Sequence, residues 1–148
     1  MSSHTLRMHR MLRAPPEQVY RAFLHPEALA KWLPPHGYTC QVHEMEVRVG
    51  GRYRMSFTQF STGHRQALAG TYLELIPGER IVQTARFEAA HLSGEIRTAI
   101  RLNALSRGTE LQIMQDGIPA VIPPDDCCLA WQESLLLLAQ LLEVRPAA

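Results

Sequence analysis

The sequence predicts an α+β fold: a seven-stranded antiparallel sheet, two short helices after the first strand and one long helix at the C-terminus. Three observations carry this. Between Tyr38 and Gly117, alternating apolar and polar runs are separated at short intervals by turn-forming residues, the pattern of hairpin-linked strands. Prolines at 15, 16, 26, 34 and 35 bracket two short helical stretches. The segment DDCCLAWQESLLLLAQLLE, Asp125 to Glu143, repeats its apolar residues at helical spacing.

In chain order, Leu6, Met8 and Leu12 fall on one face of Thr5 to Leu12, and Thr5, Arg7 and His9 on the other, which reads as a half-buried strand. Pro15 and Pro16 suit a first helical turn, where a missing N–H costs nothing, and Val19 with Phe23 and Tyr20 with Leu24 repeat at i, i+4. That helix runs to about His25; Pro26 breaks it and starts a second, Glu27 to Leu33, ended by Pro34 and Pro35. In EVRVGGRYRMSF, Gly50-Gly51 lies between two alternating runs and reads as a two-residue hairpin needing positive φ. Tyr53, Met55 and Phe57 share one face of the second run. The strand Gln66 to Ile76 ends in Ile76-Pro77-Gly78-Glu79, a type II turn, and Ile81 to Phe87 follows. Ile96, Thr98, Ile100 and Leu102 alternate with Arg97, Ala99 and Arg101 before Ser106-Arg107-Gly108 turns into Thr109, Leu111 and Ile113. The proline-rich Gly117 to Pro124 reads as a loop.

Length and charge exclude several functions. At 148 residues the chain holds one core, so a single domain spans 1–148. A net charge of +1 with scattered arginines gives no footprint for nucleic acid. The longest uninterrupted apolar run, Leu135 to Ala139, is far short of a bilayer span, and no apolar run follows the N-terminal charges. Cys40, Cys127 and Cys128 form no C-x-x-C pair, which fits a reducing cytoplasm and small apolar fillers. His36, Cys40 and His43 are close in sequence, but Cys40 and His43 on one strand face opposite ways and no fourth ligand is present, so no metal is expected. No cofactor is expected either.

The C-terminal helix resolves into two faces. Cys127, Leu135, Leu138 and Leu142 cluster within about 40° of Trp131, while Gln132, Glu133, Gln140 and Glu143 lie opposite. Its polar face rules out a membrane span, and its roughly 28 Å would cross a whole sheet. Leu129 and Leu136, a heptad apart on the polar side, are candidates for a homodimer contact.

The segments RAPPEQVYRAFLHPEALAKWLPP (13 to 35), EMEVRVGGRYRMSF (44 to 57), GTYLELIPGERIVQT (70 to 84), GTELQI (108 to 113) and AWQESLLLLAQLLE (130 to 143) stand in register over nearly the whole chain. In this order they resemble the START-related, birch-pollen-allergen-like helix-grip superfamily (SRPBCC), and within it the family of homologues of the activator of the heat-shock-protein-90 ATPase. The resemblance implies a curved sheet wrapped around the C-terminal helix. Two departures are visible. Family members often carry His-x-x-Gly-Trp where this chain has Cys127-Cys128-Leu129-Ala130-Trp131, and Gln115 stands where a histidine often ends the last strand. Roles of those histidines do not transfer.

The resemblance also implies a cavity for a small apolar or aromatic molecule between helix and sheet. Candidate ligand-binding residues are Trp32, Tyr53, Met55, Phe57, Tyr72, Ile100, Leu111, Ile113, Trp131, Leu135 and Leu138, with Gly70, Ala85 and Ala99 leaving room if they point inward. Gln83, Gln115, Arg86 and Glu46 are polar candidates near the mouth, though Glu46 and Arg48 have the spacing of a same-face ion pair. Two alternatives stand beside binding: a polyketide cyclase- or aromatase-like enzyme in the same cavity, and an interaction or co-chaperone-like protein with a filled core. No residue pair has the spacing that acid-base chemistry requires, so no catalytic residue is assigned. The eukaryotic activators pair this domain with a separate N-terminal one for which 148 residues leave no room, so chaperone stimulation is not expected to carry over.

Overall fold

The computed structural model describes residues 3–143. Strand β1 (Ser3–Leu12) is followed by helices α1 (Pro16–Leu24) and α2 (Pro26–Trp32). Six strands come next: β2 (Tyr38–Met45), β3 (Arg52–Gln59), β4 (Arg65–Ile76), β5 (Arg80–Phe87), β6 (Ile96–Leu105) and β7 (Gly108–Pro119); α3 (Pro124–Leu142) ends the chain. All seven strands form one antiparallel sheet in the order β1-β7-β6-β5-β4-β3-β2. The α+β helix-grip architecture is therefore present as expected.

Local chemistry explains the short helices. Pro16 and Pro26 each open a helix at a position that needs no N–H, and Glu17 and Arg21 sit at the ends of α1 that the helix dipole favours. Val19, Ala22 and Phe23 are buried from α1, and Leu29 and Trp32 from α2. Trp32 is fully buried: its ring meets Phe23 edge-on at 4.7 Å and its indole N–H donates to the Ala22 carbonyl at 2.9 Å. Each such buried side chain contributes about 1.5–3 kcal/mol of transfer free energy.

Bulges bend the sheet. Register shifts at His4/Leu6, Val42/Glu44 and Tyr72/Glu74 each add a residue to one strand and increase its twist and curvature. The type II turn at Pro77-Gly78 forms as read, with Gly78 at φ 71° and the Glu79 N–H donating to the Ile76 carbonyl at 2.9 Å.

Two local expectations are corrected. Gly50-Gly51 is not a two-residue hairpin: β2 ends at Met45, and Glu46 to Gly51 form a longer connection that exposes Val47 and Val49. Only Gly50 has positive φ; Gly51 is required by close approach, because a Cβ there would meet the Glu46 carbonyl at 2.0 Å. The loop expected over Gly117 to Pro124 is shorter. Strand β7 continues through a left-handed Gly117 to Pro119, and Ile118 is buried opposite His4.

Helix α3 places Asp125 and Asp126 in its first turn, favourable to the dipole, and buries Ser134, Leu135, Leu138 and Ala139. It packs against β1, α1 and α2 at one side of the sheet. Two polar residues tie it there: the Ser134 hydroxyl donates to the Leu33 carbonyl at 2.6 Å, and a Glu143 carboxylate oxygen accepts the Arg13 N–H at 2.9 Å. No helix among the described residues is long and apolar enough to cross a membrane.

Candidate ligand-binding site

Because α3 leans toward β1, the concave face of β3 to β6 is left partly uncovered, and a cleft of about 600 Å³ lies between it and the N-terminal half of the helix. That volume falls in the range of small-molecule sites. Its wall is mainly apolar, from Phe23, Leu29, Met45, Met55, Leu68 and Ile100 among others. Charged or titratable side chains at its edge, His36, Asp126 and Glu133, are exposed or half-exposed. At the rim the His36 N–H donates to Glu133 at 3.1 Å, holding the α2–β2 connection against α3.

The structure divides the candidate residues into two groups. Tyr53, Met55, Phe57, Tyr72, Ile100 and Trp131 line the cleft. Trp32, Leu111, Ile113, Leu135 and Leu138 do not; they are packed in the core beneath it. Of the small residues, Ala85 is on the wall, whereas Ala99 pairs with Val82 and Met114 on the opposite face of the sheet. Gly70 does leave room, but the Tyr53 side chain uses it. Tyr53 lies opposite Gly70, and its hydroxyl passes over β4 to donate to the Thr84 carbonyl on β5 at 2.6 Å. A Cβ at Gly70 would sit 2.8 Å from that hydroxyl and 1.7 Å from the carbonyl.

Among the polar candidates, Arg86 and Glu46 do not line the cleft; they face Glu95 and Arg48 respectively at 3.3 and 3.1 Å. Gln83 and Gln115 do line it, and so does Thr98, which no motif singles out in the sequence. The signal for Thr98 was its position in the run Ile96, Thr98, Ile100, whose other members are buried inward. The Trp131 indole N–H donates to Gln115 Oε1 at 2.9 Å, and Gln115 Nε2 donates to Thr98 Oγ1 at 3.0 Å. Gln83 Nε2 donates to the Tyr53 hydroxyl at 3.2 Å. Burial pushes the Tyr53 phenol well above its ordinary value and that of Tyr72 up to about 12. Both are neutral hydrogen-bonding groups at physiological pH.

The three residues of the candidate zinc cluster go separate ways. Cys40 packs against the core, His43 hydrogen-bonds Ser56 at 2.8 Å and His36 meets Glu133. Burial raises the Cys40 thiol to about 11, which keeps it protonated.

Comparison with known proteins agrees with this fold. Protein CV1439 of Chromobacterium violaceum is similar over 95% of this chain and 98% of its own, at 56% identity and a TM-score of 0.94. A Rhodobacter sphaeroides protein shares the fold at 24% identity and a TM-score of 0.81, with 93% and 90% of the two chains covered. DynU16, a protein in the dynemicin biosynthetic locus, shares it at 17% identity and a TM-score of 0.69, with 92% of this chain matched to 46% of that one. No curated protein matches. The family model described as "Activator of Hsp90 ATPase homolog 1-like protein" matches residues 13–143. With that match over a helix-grip fold, the chain belongs to the Activator of Hsp90 ATPase homolog 1-like family of the SRPBCC superfamily.

Proposed function

We propose that the protein binds one small, mainly apolar or aromatic molecule in the cleft between α3 and the sheet. The supporting observation is the cleft itself, about 600 Å³ with an apolar wall and its charges at the rim. A ligand burying about 200 Å² of apolar surface would gain about 5 kcal/mol at roughly 25 cal/mol per Å². Association costs offset part of this, so affinity from burial alone is modest and the polar groups set the preference.

The same wall supports binding over catalysis. Its tyrosines hold their protons far above neutral pH, and Tyr53 is committed to a backbone carbonyl. Neither is poised as a general acid or base. Native mass spectrometry of gently purified protein, with denaturing extraction of any adduct, tests the proposal. Retention of a discrete apolar molecule supports it. An adduct-free protein that also shows no thermal shift across a panel of apolar compounds overturns it. Ala85→Phe places a ring in the cleft and is expected to abolish binding while the protein stays folded.

For α3 we also propose a homodimer contact, because Leu129 and Leu136 are 58% and 43% exposed. A strictly monomeric sedimentation profile at high concentration would remove this contact.

A further inference from the structure

Four side chains cross the floor of the cleft in lateral register: Gln115 on β7, Thr98 on β6, Gln83 on β5 and Tyr72 on β4. Each faces its neighbour across a strand pair, roughly 4.8 Å apart. The direction of every hydrogen bond in this row is fixed from its two ends. At one end, the Trp131 indole can only donate, so Gln115 must present Oε1 to it and Nε2 to Thr98. The Thr98 oxygen is therefore an acceptor toward Gln115, and its own proton is left to donate elsewhere. At the other end, the Thr84 carbonyl can only accept, so the Tyr53 hydroxyl donates to it and must accept from Gln83 Nε2. That orients the Gln83 amide and leaves its Oε1 as a free acceptor.

Neither Gln83 Oε1 nor the Tyr72 hydroxyl has a protein partner among the described residues, and neither is sealed from solvent. Both belong to residues on the cleft wall. The centre of the floor thus offers a donor, Thr98 O–H, beside an acceptor, Gln83 Oε1, with no charged side chain in the row. We propose, on the footing that the cleft is a binding site, that its ligand is neutral and carries a group that donates and accepts at once, a phenolic or enolic hydroxyl on an apolar ring system. Such a hydroxyl accepts from Thr98 and donates to Gln83 while its ring system lies against Met55, Ile100 and Trp131. An ether supplies only the acceptor. A carboxylate must be desolvated against Gln83 Oε1 with no cation in the row to offset it.

The test compares naphthol, its methyl ether and naphthoate by titration calorimetry at neutral pH. Naphthol is expected to bind about ten-fold more tightly than the ether, the effect of one well-made hydrogen bond, and naphthoate more weakly than either. In Gln83→Met, near-UV circular dichroism confirming the fold, the preference for naphthol over ether is expected to fall to about two-fold or less, whereas Thr98→Val, which removes the donor that both compounds use, is expected to weaken both by about ten-fold and to keep the preference. Equal affinities for naphthol and ether in the native protein, or tightest binding of naphthoate, overturn the hydroxyl assignment and leave the cleft as a binding site. A preference that survives in Gln83→Met overturns the assignment to Gln83, and affinities unchanged in Thr98→Val overturn the assignment to Thr98. Failure of all three compounds, together with no response to an apolar panel, overturns the binding proposal and this inference with it.

Discussion

The rings of Tyr53 and Tyr72 lie 5.3 Å apart, tilted by 36°, and burial raises both phenols, yet their hydroxyls are partnered differently. Tyr53 bridges β3 to β5, whereas Tyr72 opens only to the cleft. Tyr53→Phe therefore strips the Thr84 carbonyl and Gln83 amide of a partner and is expected to cost about 1–3 kcal/mol in urea denaturation. Tyr72→Phe loses no protein hydrogen bond and is expected to stay within about 0.5 kcal/mol. The pair also sets an alkaline limit. Their folded values lie above the ordinary 10.0, so the unfolded chain releases these protons first. The stability they contribute is complete below pH about 10 and is lost as pH rises toward Tyr72's value of about 12. Denaturation midpoints measured through this window should fall, and Tyr72→Phe should flatten the fall.

Among the elements, β4 shows how one residue without a side chain lets three strands interlock. Gly70→Ala would drive a Cβ into the Thr84 carbonyl and the Tyr53 hydroxyl, a backbone collision that no rotamer change relieves. A loss of about 3 kcal/mol or more is expected. Gly63→Ala, in a turn with φ 72° and nothing within 4 Å, should cost only about 1–2 kcal/mol of left-handed strain. Comparing the two urea midpoints separates crowding from backbone strain. These glycines also mark where the sequence is legible. The turn at Pro77-Gly78 can be read because its determinants are adjacent in the chain. Gly50-Gly51 and Gly117 cannot: the alternation of Val47 and Val49 reads as strand though both are exposed, and Gly117 looks like a loop although Ile118 is held by His4 across the chain. The same limit applies to the cleft. Alternation places Thr98, Gln83 and Gln115 on the inward face, but that they form one row follows from strand register, which involves residues far apart in sequence. Helical spacing likewise finds the buried stripe of α3 without saying which part of the sheet it covers. Leu135 and Leu138 thus lie in the core, and only Trp131 of the three helix candidates reaches the cleft.

For the molecule as a whole, the placement of α3 decides how much of the core the chain itself completes. Its C-terminal half is anchored through Leu135, Leu138, Ala139 and Glu143, while its N-terminal half faces open space across from β3 to β6. A ligand filling that space binds the folded chain and has no corresponding site in the unfolded one, so it must raise the melting temperature. At a free concentration one hundred times Kd the gain is about 2.7 kcal/mol. For a chain of this size each kcal/mol shifts the midpoint by roughly 2–4 °C, giving an expected rise of roughly 5–11 °C in scanning calorimetry. Ala85→Phe supplies the comparison, because it occupies the cleft from within while leaving the rest of the surface unchanged. The ligand-induced rise should vanish in that variant. A rise of equal size in both proteins would place the ligand elsewhere on the surface and leave the cleft without its proposed role.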